Sequence, residues 1–347
     1  MNNSSSATFK TRQSCCSSEF LPLAPTPVFD AFWTFAAERQ AIFFRRLGQS
    51  DPPWTTDSIL NTFKFTNVYR ASDRVSQFLI QNVIYSGDYD PANVIFRVLL
   101  FKLFNKIETW QLLEREIGRI TVSDFSIKRF EEVLTSAFEQ GQRIYSAAYI
   151  MPSGSRIFQT SRKHIAHLRL LDFMLKDNLP QKIMDSRSLR NVFETLRCYP
   201  LIGDFLAYQY AIDINYSEVT RFSESDFVAP GPGALSGVRK CFANLSITSE
   251  ADVIRLVTDL QEQEFSRRNI SFHWLGGRRL QLIDIQNIFC EIDKYARVRF
   301  PETLGISNRS KIKQRFKPNT AALNHWYPPK WGINGILRTC RPASHAR

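Results

Sequence analysis

The residues best suited to chemistry fall in three well-separated stretches. The first is Lys64 to Tyr85, where Lys64, Asn67, Arg70, Asp73 and Arg74 crowd the start of an apolar run. If a helix begins near Val68, Arg70, Asp73 and Arg74 lie three and four residues apart, and the Asp73 carboxylate can hold one or both guanidinium groups in place. Oriented arginines suit a phosphate, which they meet through paired N–H donors. The plainer reading is a surface ion-pair ladder. In the second stretch Asp226 stands just ahead of Pro230-Gly231-Pro232-Gly233, a turn that opens a helix. Backbone without side chains lets a nucleotide come close, so Gly231 and Gly233 are candidate DNA contacts and Asp226 the candidate catalytic acid. An Asp at such a boundary also commonly caps a helix or turn. The third stretch, Trp274 to Tyr295, turns at Gly276-Gly277 into Arg278, a further cation for phosphate.

Two more features bear on a polyanionic partner. Ser188 to Cys198 reads as a short amphipathic helix, Pro200 stops it, and Gly203 opens a second helix. The amide groups of such a turn and the positive end of the following helix can face an anion, which makes Gly203 a candidate DNA contact, although most Pro-x-x-Gly turns are only turns. From Pro301 onward nine basic residues face one acid, Glu302, and this part supplies +8 of the chain's net +12. Arg309, Lys311, Lys313, Arg315 and Lys317 alternate with other residues, so an extended backbone puts all five on one side, able to follow a phosphate chain. A solvated tail without structure is the alternative.

The elements that must position these groups read as helices. Pro27 opens a helix over 28–47, Thr56 or Asp57 caps a brief one to Phe63, and Asp90-Pro91 starts a very apolar one reaching Phe104. Further helices are expected at 108–117, 127–140, 161–176 and, after Ser249, at 250–267, with a closing helix over 284–295. No strict alternation persists and no repeat is visible. The fold class is therefore all-α, with room for small strand pairs. Residues 1–25 read as a disordered lead, 26–300 as one large helical domain divisible into lobes at 26–185 and 186–300, and 301–347 as a basic tail.

With 347 residues and 44% apolar content the chain can bury a real core. The six cysteines show no Cys-x-x-Cys, which points to reduced intracellular thiols. His164 and His167 can share a helix face, but no third ligand stands nearby and no metal site or cofactor is expected. No apolar run reaches the length of a membrane span. The expected place is intracellular, nuclear in a eukaryote. Neither Gly-x-x-x-x-Gly-Lys-Ser/Thr nor Gly-x-Ser-x-Gly, His-Glu-x-x-His or a His-x-Glu deaminase pattern occurs.

Phe32-Trp33, Glu38-Arg39-Gln40, Arg45-Arg46, the whole of Lys64 to Tyr85, Tyr199 to Phe242 and Trp274 to Tyr295 together resemble the helical domain found with phage 5-hydroxymethyldeoxyuridine DNA kinases. They also look like the related α-glutamyl/putrescinyl thymine pyrophosphorylase and amino acid:DNA transferase proteins. The resemblance covers roughly residues 28–296. It implies a helix-hairpin-helix fold related to DNA glycosylases and a part in pathways that decorate thymine by replacing an activated hydroxymethyl group. In the glycosylase pattern a Leu-Pro-Gly-x-Gly hairpin grips the DNA backbone and a downstream Asp serves the reaction. Here Tyr199-Pro200-Leu201-Ile202-Gly203 occupies the hairpin, with Leu201 in place of the first glycine, and Asp226 takes the place of the acid. That departure weakens phosphate binding by the hairpin.

The expected function is action on a hypermodified thymine in DNA with displacement of phosphate or pyrophosphate, not kinase chemistry of the P-loop type. DNA is the partner, together with a separate kinase or oxygenase acting on thymine; the sequence does not set the oligomeric state. A non-catalytic DNA-targeting module and a base-excising glycosylase stand as alternatives.

Overall fold

The computed structural model describes residues 23–339 apart from 88, 246–247 and 307–308. Fifteen α-helices carry the fold, with no sheet among the described residues. They are α1 (Pro27–Leu47), α2 (Ser58–Thr62), α3 (Arg74–Phe78), α4 (Pro91–Phe104), α5 (Ile107–Ile117), α6 (Ile127–Glu139), α7 (Lys163–Lys176) and α8 (Leu179–Met184). There follow α9 (Leu189–Arg197), α10 (Asp204–Ile214), α11 (Pro232–Cys241), α12 (Glu250–Asp259), α13 (Gln261–Arg267), α14 (Leu282–Arg299) and α15 (Asn334–Thr339). The all-α expectation holds, and the helix starts follow the caps. Thr26 accepts from Val28 N ahead of Pro27, Asp57 from Ile59 N and Leu60 N, Asp90 from Asn93 N, and Ser188 from Asn191 N. The expected 250–267 helix is interrupted at Leu260, which ends α12 and begins α13.

Helices α4 and α10 are apolar nearly all round and lie inside the molecule, where they pack on each other. The tightest pair is α11 against α14. A Cβ on Gly237 would run into the Phe289 backbone carbonyl and one on Gly233 into the Cys290 sulfur, while one on Gly231 would lie 2.6 Å from the Phe205 ring. These missing side chains therefore serve helix packing. That corrects the expectation that Gly231 and Gly233 leave room for DNA.

Both ends of the described chain join this body. Of the expected disordered lead, residues 1–22 lie outside the described residues, but Leu23 is buried, Thr26 N donates to Cys241 O (2.9 Å) and Ala243 N to Ala24 O (2.8 Å). Past Pro301 the chain crosses the surface without helix or turn over 309–320, antiparallel to residues 62–64: Lys64 N donates to Gln314 O (3.1 Å) and Phe316 N to Thr62 O (3.0 Å). It then re-enters the core at Tyr327, Ile333 and Leu337. Lys330 Nζ is held by three carbonyls, Asn215 O at 2.5 Å and Ser217 O and Thr220 O at 2.7 Å, just past the C-terminal end of α10. This segment is a strap and not a free tail, because its apolar residues recover enough buried surface to fix it.

Candidate functional site

Residues Lys64 to Tyr85 do not make one helix. The chain is irregular to Tyr69, turns once as a 3-10 segment at Arg70–Ser72, takes an extended backbone at Asp73, and then forms α3, which passes into a π turn at Leu79–Ile84. The cause is competition for backbone donors. Arg70 N donates to Asp284 Oδ1 (2.8 Å), Asn67 N to Asp73 Oδ1 (2.8 Å) and Thr66 N to Glu291 Oε2 (3.0 Å). Carboxylates, two of them from α14, thus take N–H groups that a helix would give to its own carbonyls. Asn287 Nδ2 reaches Asn67 O (2.7 Å), Arg39 Nη2 on α1 reaches Asn67 Oδ1 (2.8 Å), and Lys294 Nζ reaches Lys64 O (3.1 Å). The strap closes the ring through Tyr327, whose hydroxyl lies 2.8 Å from Ser72 Oγ.

Asp73 therefore does not clamp Arg70 and Arg74. Arg70 turns inward and sets Nη1 and Nη2 on the two carboxylate oxygens of Asp213, at 2.7 and 3.0 Å, with Nη1 also 3.1 Å from Tyr216 Oη. Lys102 Nζ stands 3.0 Å from the same carboxylate and 2.9 Å from Asn105 Oδ1. The Tyr149 ring faces both cations, at 4.3 Å from Lys102 and 5.8 Å from Arg70. Side-chain exposures of 3% for Arg70, 3% for Lys102 and 1% for Asp213 put the whole triad out of water. Burial pushes the Asp213 carboxyl up, but Arg70 and Lys102 outweigh it and hold the group below the ordinary range. Burial lowers Lys102 and its bond to Asp213 only partly restores it. Arg70 cannot touch a phosphate from this position; the expected contact is corrected to an internal support. Arg74 is exposed, 3.9 Å from Glu108.

Asn67 instead organises a half-buried pair at the surface of the loop. It holds Arg39 through its side-chain oxygen and Asp73 through its N–H. Burial raises the Asp73 carboxyl to about 7, helped by the charge of Glu291 and opposed by the Asn67 N–H and Arg39. Burial lowers Arg39 to about 10, and its Nη1, itself out of contact with water, has no partner among the described residues. Arg39 and Arg46 line a small cavity of about 30 Å³ with Trp54, Asn61, Phe65 and Phe316 of the strap. A carboxyl poised near neutrality beside a fixed guanidinium with an unspent donor can accept a proton and stabilise a departing anion.

A second polar group lies deeper. Arg278 Nη2 donates to Glu224 Oε1 (2.7 Å), and its guanidinium stacks 3.9 Å over Trp331. Asp284 accepts from Gln281 N and Arg70 N, yet burial and the neighbouring charge of Glu224 lift it to about 7. The buried Tyr208 hydroxyl has no hydrogen-bond partner among the described residues.

The remaining expected residues lie apart from Asn67. Asp226 is exposed, and its Oδ2 accepts from Arg190 N (3.2 Å) at the start of α9, the capping role weighed against catalysis above. Lys64 is exposed at the edge of the loop. Gly203 is the N-cap of α10 with no atom within 4 Å of its missing Cβ, but Asp204, 2.6 Å from Arg197, brings a negative charge to that helix end. Leu201 has φ +69, the left-handed backbone its glycine alternative would take freely. Arg309, Lys311, Lys313, Arg315 and Lys317 are all exposed on the strap. His164 and His167 bond to Thr135 Oγ1 and Tyr145 Oη, each at 2.8 Å, and no metal-binding cluster occurs among the described residues. No helix among them is long and apolar enough to cross a membrane.

Sequence reading missed Arg39, Lys102, Asp213 and Glu224. Asp213 and Lys102 did carry a signal: each is a charge inside an otherwise apolar helix, which folding tolerates only when a partner waits there. Arg39 carries no such mark.

Comparison with known proteins agrees with the resemblance drawn from the sequence blocks. The family model of the 5-hmdU DNA kinase helical domain matches residues 26–305. A 5-hmdU DNA kinase of Bacillus phage SP10 is 25% identical over 286 residues, covering 77% of this chain and 45% of the phage protein. The chain thus spans less than half of that relative's length, and no solved structure matches it. Since the family match runs through α1, the Asn67 loop, α10 and α14 without a break, the chain belongs to the 5-hmdU DNA kinase helical domain family.

Proposed function

We propose that the chain acts on 5-hydroxymethyluracil-derived bases in DNA, displacing phosphate or pyrophosphate from the activated hydroxymethyl group. The observation that supports this most is the Arg39–Asn67–Asp73 arrangement, in which one asparagine fixes a guanidinium and a carboxyl that each keep an unspent group. The base must leave the stack to be reached. As the C–O bond to the leaving phosphate breaks, charge gathers on that oxygen, and Arg39 is the fixed cation that offsets it once the loop opens its buried N–H to the substrate. An incoming amine forms the new bond to the methylene carbon and gives its proton to Asp73, whose affinity for protons suits neutral pH. Arg70, Lys102 and Asp213 are positioning residues beneath the loop. Lys64 serves as an outer phosphate contact, Arg278 stays held inside by Glu224 and Trp331, and Asp226 acts through α9 and not as the acid.

The relative carries the name of a kinase, but this chain matches under half of it and has no Gly-x-x-x-x-Gly-Lys-Ser/Thr. A separate kinase, and an oxygenase-type step before it, would supply the activated base. The test is mass spectrometry of nucleosides from DNA carrying 5-hydroxymethyluracil or its phosphate esters, after incubation with protein and amine donors. Wild type should consume the ester form, and Asp73→Asn should bind DNA yet turn over about 100-fold or more slowly. Release of free base with an abasic site would favour excision. Unchanged DNA would leave only a binding module.

A further inference from the structure

The strap carries a feature that base chemistry does not use. Over 309–317 its odd-numbered residues are Arg309, Lys311, Lys313, Arg315 and Lys317, all exposed, while Ile312 and Phe316 are partly buried against the core. The pairing of Phe63 with Arg315, and the bonds at Lys64 N and Phe316 N, fix this register. No carboxylate pairs with any of the five among the described residues. An extended backbone sets alternate residues about 6.6 Å apart, so a row of five spans about 26 Å in a nearly straight line. That step is comparable with the distance between neighbouring phosphates on a stretched nucleic-acid strand.

The straightness of the row distinguishes strand types. In a duplex one strand winds through most of a turn over such a length, since a turn takes about 34 Å, so a straight row follows its phosphates for only a few steps. A single strand can be pulled into line with all five cations. Phe316, on the inner side of the same segment, roofs the cavity that Arg39 lines. We propose that the strap is a binding track for single-stranded DNA, which it holds stretched along its outer side with the bases already unstacked. This rests on the reading of DNA as the substrate polymer, and not on the chemistry assigned to Asp73.

Fluorescence anisotropy with an unmodified 15-nucleotide thymidine strand and a 15-base-pair duplex, from 50 to 200 mM salt, tests it. The single strand should bind more tightly. Five phosphate contacts on a single strand give a log–log salt slope of about −3.5, a loss of about 100-fold across that range. The triple variant K311A/K313A/R315A should fall to a slope of about −1.4, a loss of about sevenfold. A charge-matched control, K128A/R143A/R156A, should keep the wild-type slope. Tighter duplex binding, an unchanged slope in the strap variant, or an equal loss in the control would overturn the proposal. So would strap-dependent binding to phosphatidylserine vesicles with none to the oligonucleotide. The probe contains no modified base, so failure of the base-chemistry assay leaves this result untouched, and the reverse holds too.

Discussion

Arg70 and Asp213 meet as a fork on a fork, at 2.7 and 3.0 Å, with both side chains out of contact with water. Lys102 shares the same carboxylate. Removing that carboxylate strands two buried cations, whose attraction to Asp213 had offset the cost of taking them from water. Asp213→Ala should therefore lose about 3–5 kcal/mol in urea unfolding. Asp213→Asn should also be severe, because the amide brings a donor to groups that are themselves donors. A loss under 1 kcal/mol in either variant would show that the triad is not closed in solution.

The hairpin between α9 and α10 gives a second test. Leu201 has φ +69, and Gly154 lies under it so closely that a Cβ there would stand 2.5 Å from Leu201 Cδ1. Gly154 itself has φ +70, so Gly154→Ala suffers both a strained backbone and a clash. Its cost should be about 1–3 kcal/mol. In a Leu201→Ala background the clash disappears and only the backbone strain remains. A double-mutant cycle on melting temperature should therefore show coupling, and strict additivity would contradict the contact.

The α11–α14 seam has no room for an added side chain at Gly237. Any side chain on Gly237 collides with the Phe289 carbonyl, and a backbone group cannot step aside as a flexible side chain can. Gly237→Ala should cost about 3 kcal/mol or separate the helices, read as lost secondary structure or a lowered unfolding midpoint. Gly203→Ala, with open space around it, should change little by the same measurement.

Asp73 and Asp284 both hold their protons to about pH 7 in the folded chain, whereas an unfolded Asp releases its own near pH 4. The folded state thus binds more protons between those values. The stability linked to these two groups is fully present below about pH 4 and is lost as pH rises through 7. Asp73→Asn should flatten that decline between pH 5 and 8 in chemical unfolding. A wild-type curve that climbs over the same window with no difference in the variant would remove Asp73 from the set of shifted groups.

What could be read from the chain, and what could not, divides by distance in sequence. Helix starts carry local marks, as at Thr26-Pro27, Asp57, Asp90-Pro91 and Ser188, where the capping oxygen lies within three residues of the N–H it accepts. The strap's row of cations was visible for the same reason, since alternation needs only an extended backbone. The Lys64 to Tyr85 stretch defeated the helical reading because its backbone partners, Asp284, Asn287 and Glu291, stand more than two hundred residues away. Asp226 drew attention by standing before a Pro-Gly turn, but its oxygen is committed to a helix end brought near only by folding. Arg39 stayed hidden because its hydrogen-bond partner among the described residues, Asn67, stands on another element.

The ammonium of Lys330, seated among the carbonyls of Asn215, Ser217 and Thr220, and the buried hydroxyl of Tyr327 on Ser72 have a consequence for how the protein is made. Tyr327, which closes on Ser72 in the Asn67 loop, emerges from the ribosome more than two hundred residues after the loop itself. Most helices can assemble while translation continues, but Ser72, next to Asp73 in the loop, gains its partner Tyr327 only once the last described stretch has been threaded home. Competence should therefore arrive late, with the stretch around Tyr327, and not with the loop alone.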